Sequence, residues 1–326
     1  MRNRALSLVL LLSLLLLAAC GPSVPTVPAE TPEPVAVRMG IQPWIGYGPW
    51  WIAADQGLFD AVGVEVEFID FVTDSEVNAA FAAGEMDVSN LATHTAMKLF
   101  SNEVALEVIL LEDASYDADA ILAGPGIATV ADLKGKSVAY EEGSTSDLLL
   151  NAALRDNNMT IADITPVPMP AADAGSALIA GQVDAAVTYE PYISNAVAQD
   201  PEVKSIYSGE DSPGLISDVL VVNDAFAEGN DETLRKLLKA WDMAVAYLRN
   251  KPEGGRAIIA EAVGSTPEEL KTAFEGVAFY DLSENNQELG SGFTQTANLI
   301  AATAQSIGMI EETPDFQRMV NPNYLK

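Results

Sequence analysis

The chain has 326 residues, 49% of them hydrophobic and 20% charged, which suits a globular body with a sizeable core and excludes a disordered one. Its formal net charge of −30 excludes a nucleic-acid partner, because phosphate binding needs clustered Lys and Arg, and it argues against a polybasic membrane-surface mode. Cys20 is the only cysteine, so no intramolecular disulfide can form.

The N-terminus begins MRNR and runs into LSLVLLLSLLLLAAC, an apolar stretch too short for a comfortable membrane span. A basic start, an apolar middle and small residues before Cys20 resemble a bacterial lipobox. Residues 1–19 are therefore expected to be a lipoprotein signal peptide, with lipidation of the Cys20 thiol after cleavage. Residues 20–34 comprise that cysteine and GPSVPTVPAETPEP, whose prolines and lack of hydrophobic period predict a stiff extended spacer. The expected location is extracytoplasmic, tethered to the membrane by acyl chains.

From Val35 strands and helices alternate. VAVRMGI (35–41) is a strand, PWWIAADQGLFDAVG a short helix, and VEVEFIDF (64–71) a second alternating strand. DSEVNAAFAAGE reads as a helix with Asp74 or Ser75 as N-cap, followed by the strand MDVSNLA and the helix HTAMKLFSN. LEVILLED (106–113) is apolar enough to be buried on both faces. The predicted series continues with strand ADAILAG, strand SVAYEE, helix STSDLLLNAALRDN, strand ITPVPM, helix AADAGSALIAG, strand DAAVTYE, helix PYISNAVAQD and strand VKSIYSG. After LISDVLVVND the segments 231–250, 253–263, 267–275 and 284–308 all read as helices, with no strong strand signal. Alternating units predict an α/β fold in two lobes, each a mostly parallel sheet flanked by helices, with a helical C-terminal part.

Four segments carry a family resemblance: GYGPWWIAADQGLF, FAAGEMDVSNLA (81–92), ADLKGKSVAYEEGSTSDLLL (131–150) and ALIAGQVDAAVTYEPYIS (177–194). Together they resemble the solute-binding lipoproteins of ABC importers, in the nitrate/sulfonate/taurine-binding group of type II periplasmic binding proteins. The resemblance covers residues 36–310. It implies two lobes joined by two crossover strands, with crossings near Ile121–Gly124 and Asp218–Val222. Lobe 1 would then comprise 35–121 and 222–326, and lobe 2 would comprise 122–221. It also implies capture of a small polar solute, sulfonate-, taurine- or nitrate-like, between the lobes, and delivery to a permease and its ATPase by a monomeric protein.

Ligands of open α/β sheets sit beyond the carboxyl ends of the strands, which makes Gln42–Pro49, Asn90–His94, Glu112–Asp117, Glu141–Ser146, Tyr189–Tyr192 and Ser217–Asp218 the candidate loops. Trp44 and Tyr47 are candidate pocket walls, with Gly46 and Gly48 permitting unusual backbone angles and close approach; the alternative is a hydrophobic staple over the helix start. Trp50 and Trp51 are adjacent and cannot both face the cleft; Trp51 is expected in the core. Gly143, Ser144, Thr145 and Ser146 offer helix-start N–H groups and hydroxyls to an anion, or form an ordinary N-cap, and the family position favours ligand contact.

Glu112, Asp113, Glu141, Glu142, Glu190 and Asp218 fall at the predicted cleft edge without a convincing Lys or Arg. Carboxylates beside aromatic rings suit an amine or another cation, while the plainer reading makes most of them solvated or capping groups. Glu190 belongs to the Tyr-Glu-Pro segment that recurs in the family. Thr93 and His94 follow the DVSNL strand where the family contacts ligand, although His94 also reads as a plain helix-start residue. No HxxxH, HExxH or Cys cluster calls for a metal, and no nucleophile elbow, P-loop or GxGxxG calls for a cofactor or an enzyme. The alternatives kept open are a binder of an amine or pyrimidine solute, a ligand-sensing lipoprotein, and an enzyme resembling those of thiamine-pyrimidine synthesis.

Overall fold

The computed structural model describes residues 36–326, so the expected signal peptide, Cys20 and the spacer lie outside the described residues. The strands are β1 (Ala36–Ile41), β2 (Glu65–Asp70), β3 (Val88–Ala92), β4 (Leu106–Ser115), β5 (Asp119–Ala123), β6 (Ser137–Tyr140), β7 (Thr165–Pro168), β8 (Ala185–Tyr189), β9 (Lys204–Ser208), β10 (Ser217–Asn223) and β11 (Val277–Phe279). They form two sheets, one in the order β11-β4-β10-β3-β1-β2 and the other in the order β7-β6-β8-β5-β9.

The α/β architecture with two sheets flanked by helices is the one expected. Within it the pairing is mixed. The pairs β1–β2, β1–β3, β6–β7 and β6–β8 are parallel. The strands entering and leaving the second sheet run the other way: β10 is antiparallel to β3 and β4, and β5 is antiparallel to β8 and β9.

The chain passes from the first sheet to the second between Ser115 and Asp119, and returns between Ser208 and Ser217. The crossings expected at Ile121–Gly124 and Asp218–Val222 fall instead largely within β5 and β10. Both strands are almost wholly buried, and their only acids, Asp119 and Asp218, lie near the strand starts, so the apolar runs that follow carry no mark of a crossing. The turn is made at the exposed pair Tyr116 and Asp117.

Local chemistry explains most elements. In β1, Val37, Met39 and Ile41 are fully buried, while Arg38 points outward and grips Asp87 with Nη2–Oδ1 at 2.7 Å and Nε–Oδ2 at 3.2 Å. β2 is an edge strand whose Glu65, Glu67 and Asp70 are exposed, charges that discourage pairing with another chain. The helix Asp231–Asn250 has the bounds read from sequence, and Leu234, Leu237, Leu238, Trp241, Val245 and Leu248 supply its buried stripe. Trp241 packs against Trp50 at a centroid distance of 4.8 Å.

Four local expectations change. The single helix expected over PWWIAADQGLFDAVG is two, Gly48–Asp55 and Leu58–Val62, because Gly57 turns left-handed at φ +63. The cap of helix Asp74–Ala82 is Thr73, which forms a capping box with Glu76, and Asp74 is the first helical residue. The stretch 284–308 is interrupted by a π segment, Glu288–Gly292, that contains two glycines. Segment 267–275 is mostly turn, and β11 follows it as an edge strand beside β4.

Asn285 fastens the C-terminal helices to β4. It is fully buried, accepts from Leu111 N–H at 2.7 Å, and donates to Leu111 C=O at 2.9 Å. Asn285→Ala leaves two buried backbone groups unpaired, and urea denaturation should show a loss of about 3 kcal/mol. The exposed neighbour change Asn286→Ala should stay within about 0.5 kcal/mol.

Candidate functional site

The stretch after β1 places three ring donors against three buried carboxylates. Trp44 Nε1 donates to Asp113 Oδ2 at 3.2 Å, Tyr47 Oη to Asp218 Oδ1 at 2.9 Å, and Trp50 Nε1 to Glu112 Oε1 at 2.6 Å. Asp113 and Asp218 stand opposite each other on β4 and β10. Such pairing is what allows acids into a core. Gly46 makes it possible, since a Cβ there would collide with the Asp113 carboxylate and the Trp44 indole.

Beside this layer lies a cavity of about 50 Å³ between the two sheets. From the first sheet and its loops come Gln42, Trp44, Tyr47, Asp74, Ala92, Ile216 and Asp218. From the second come Asp119, Glu141, Ser144, Thr145, Ser146, Ala171 and Tyr189. Trp44 meets Tyr189 edge to face across it at 5.9 Å. The volume admits only a few water-sized groups, so this geometry suits a solute of few heavy atoms.

Two carboxylates tie the sheets together. Glu141, which follows β6, accepts from the N–H of Asp74 at 3.0 Å and from the N–H of Ala171 at 3.1 Å, so it sits on helix starts from both sides of the cavity. Asp74 in turn takes the Gln42 amide at 3.1 Å and the Thr145 backbone N–H.

Burial dominates the electrostatics. It pushes Asp119 up to about 8, helped by Asp218, Asp74 and Glu190. It raises Asp218 to about 7 despite the Tyr47 hydrogen bond. Glu112 and Asp113 are also pushed well up, first by burial, with Asp218 adding in both and Glu112 adding to Asp113. Burial lowers His94 to about 3, aided by Lys98, so this imidazole stays neutral.

Of the residues singled out in the sequence, the cavity gathers Trp44, Tyr47, Glu141, Ser144, Thr145, Ser146 and Asp218. Asp113 lies behind the Trp44 ring. Gly48 has ordinary helical angles (φ −50, ψ −38), and a Cβ there would strike Ile259, so the glycine serves packing rather than ligand approach. Thr93 bonds the Ser217 hydroxyl at 2.8 Å inside the fold, and the buried His94 ring meets the Thr95 hydroxyl at 3.3 Å. Glu190 turns away to cap the next helix, receiving Ser194 N–H at 3.0 Å and Ser194 O–H at 2.9 Å. Glu142 is exposed. Gly143 sits at φ +79, its N–H given to Asp147 at 2.9 Å.

Trp50, not Trp51, is the fully buried tryptophan; Trp51 is only half-buried. Sequence reading missed Gln42, Asp74, Asp119 and Tyr189 as individual wall residues, although Gln42 and Tyr189 lie in loops it proposed. The alternation of β5 held the only signal for Asp119, an acid opening an otherwise apolar strand.

Residues 44–254, more than half of the chain, match the family model described as NMT1/THI5 like. The chain belongs to the NMT1/THI5-like family. Among curated proteins, it is 28% identical over 239 residues to an Escherichia coli (strain K12) protein named for binding aliphatic sulfonates, covering 72% of this chain and 74% of that one. It is 28% identical over 201 residues to the taurine-binding periplasmic protein of the same strain, covering 60% and 62%. The periplasmic nitrate-binding protein NrtA from Synechocystis shares the fold with a TM-score of 0.74 at 13% identity, covering 90% of this chain and 87% of that one. Each of these three proteins is named for binding a small solute.

The raised carboxyls give the stability a sign. Folded Asp119 and Asp218 keep protons that the unfolded chain releases near pH 4, so the folded state binds more protons between about pH 4 and 8. Their contribution therefore declines as pH rises through that window. The melting temperature should drop on the order of 5 °C from pH 5 to pH 8, and Asp119→Asn should flatten the slope in calorimetry.

Proposed function

We propose that this chain is the extracytoplasmic solute-binding component of an ABC importer. The observation that carries the reading is a small cavity walled equally by both sheets, with cross-sheet hydrogen bonds at its rim. Such a site is completed only when its two halves meet, so a captured solute favours closure and closure presents a different surface to a membrane permease. The family's binding of aliphatic sulfonates, taurine and nitrate supports the solute class: small, polar and water-soluble. No covalent step enters this reading; affinity comes from desolvation and directed hydrogen bonds. The partners are the solute, a permease and its ATPase, and the protein works as a monomer.

Leu17-Ala18-Ala19-Cys20 supports a lipid tether, with residues 20–34 as the spacer between membrane and body. Expressed in a bacterial host, the protein should fractionate with membranes, and Cys20→Ala should release it into the soluble fraction; equal partition of the two would remove the tether.

Capture is tested by melting the purified protein with sulfonates, taurine, nitrate, bicarbonate, amines and pyrimidines. A solute held in the cavity at a hundred times its Kd should add about 2.7 kcal/mol of stability. It should also perturb Trp44 fluorescence, and Trp44→Phe should remove the optical signal. A solute turned over rather than retained would point to the enzyme alternative.

A further inference from the structure

The helix start that the sequence offered to an anion is already used. Gly143 N–H goes to Asp147, Ser146 N–H to Ser144 Oγ at 3.1 Å, Glu141 N–H to Ser146 Oγ at 2.8 Å, and Thr145 N–H to Asp74. The starts of helices Asp74–Ala82 and Ala171–Ile179 are likewise taken by Glu141. The protein thus fills its own anion positions with carboxylates.

What faces the cavity is negative. Asp119 is only 6% exposed and lines the cavity, and the Ser115 hydroxyl beside it lies outside hydrogen-bonding geometry. Asp218 stands on the other wall, with one oxygen engaged by Tyr47. The two acids belong to different sheets, Asp119 beside Tyr189 on β5 and β8, Asp218 beside Asp113 on β10 and β4. Among the described residues no Lys, Arg or His lines this space. Nor does any group of three or more His, Cys, Asp or Glu among them stand at metal-holding distances.

Resting on the solute-capture reading above, we propose that the solute is a small organic cation, an ammonium or amidinium. Its charged group bridges Asp119 and Asp218 and meets the rings of Trp44 and Tyr189. A cation placed so neutralises one acid from each sheet, which couples binding to closure, and the aromatic walls add cation–π attraction. An isolated sulfonate or nitrate would meet these acids with no counter-charge on the walls. Burial first, then Asp74 beside both acids and Glu190 beside Asp119, raises their proton affinity, while hydrogen bonds from Tyr47, Asp113 and Trp44 hold Asp218 back.

The test is melting and titration calorimetry of the purified protein at pH 8.5 and fixed ionic strength. The probes are ethylammonium and acetamidinium against ethanesulfonate and nitrate, each at millimolar concentration. The cations should raise the melting temperature by about 2 °C or more and the anions should not. Asp119→Asn, isosteric and relieved of a buried charge, should melt no lower than the parent yet bind the cations about tenfold or more weaker. Exposed Glu142→Gln should bind them as the parent does. Stabilisation by ethanesulfonate or nitrate alone, or cation binding untouched by Asp119→Asn, overturns the charge assignment and leaves solute capture standing. Failure of every probe also overturns it, and capture itself falls only if the wider solute panel is silent too.

Discussion

The hydrogen bonds from Trp44, Tyr47 and Trp50 to Asp113, Asp218 and Glu112 are the constraint on which the remainder of the site rests. Three acids on two neighbouring strands would repel one another and resist burial. Ring donors from one short segment satisfy an oxygen of each while adding large apolar area to the core. The segment from Trp44 to Trp50 is therefore fixed in register against β4 and β10. The outer faces of Trp44 and Tyr47 become cavity walls as a consequence of where their polar edges must go.

The same economy operates at the rim. Glu141 and Asp74 serve helix starts belonging to opposite sheets, so closing the cavity also completes the hydrogen bonding of the backbone around it. Lys98 adds a positive charge at this seam: its Nζ approaches Gly143 across the boundary, and its field lowers Asp74 and Asp147 against the burial that raises them. Polar contacts at the cavity's edge tie the two halves together, alongside buried apolar residues of both sheets that form one continuous cluster.

Much of this was legible in residue order. Alternating runs located nearly every strand within a residue or two, and the helix Asp231–Asn250 appeared with its bounds because its apolar stripe is long and uninterrupted. The rule that ligands sit beyond the carboxyl ends of strands marked Gln42–Pro49, Asn90–His94, Glu141–Ser146, Tyr189–Tyr192 and Ser217–Asp218, each of which contributes to the cavity wall. Individual side chains were harder. Glu190, Thr93 and His94 occupy loops of the right kind but spend their polar atoms inside the fold, and adjacent Trp50 and Trp51 could be told apart only by the turn of their helix.

The sequence by itself determined the α/β class, the acidic character, the absence of disulfides and the aromatic–glycine segment after β1, because periodicity, composition and local propensity act over short stretches of chain. Only the tertiary structure decided which acids share a wall. Asp119 opens the second sheet and Asp218 comes after its last strand in sequence, and Glu141 reaches a helix start in the other half of the molecule. Buried charge is governed by what surrounds it within a few ångströms, and those neighbours are set by how the sheets meet.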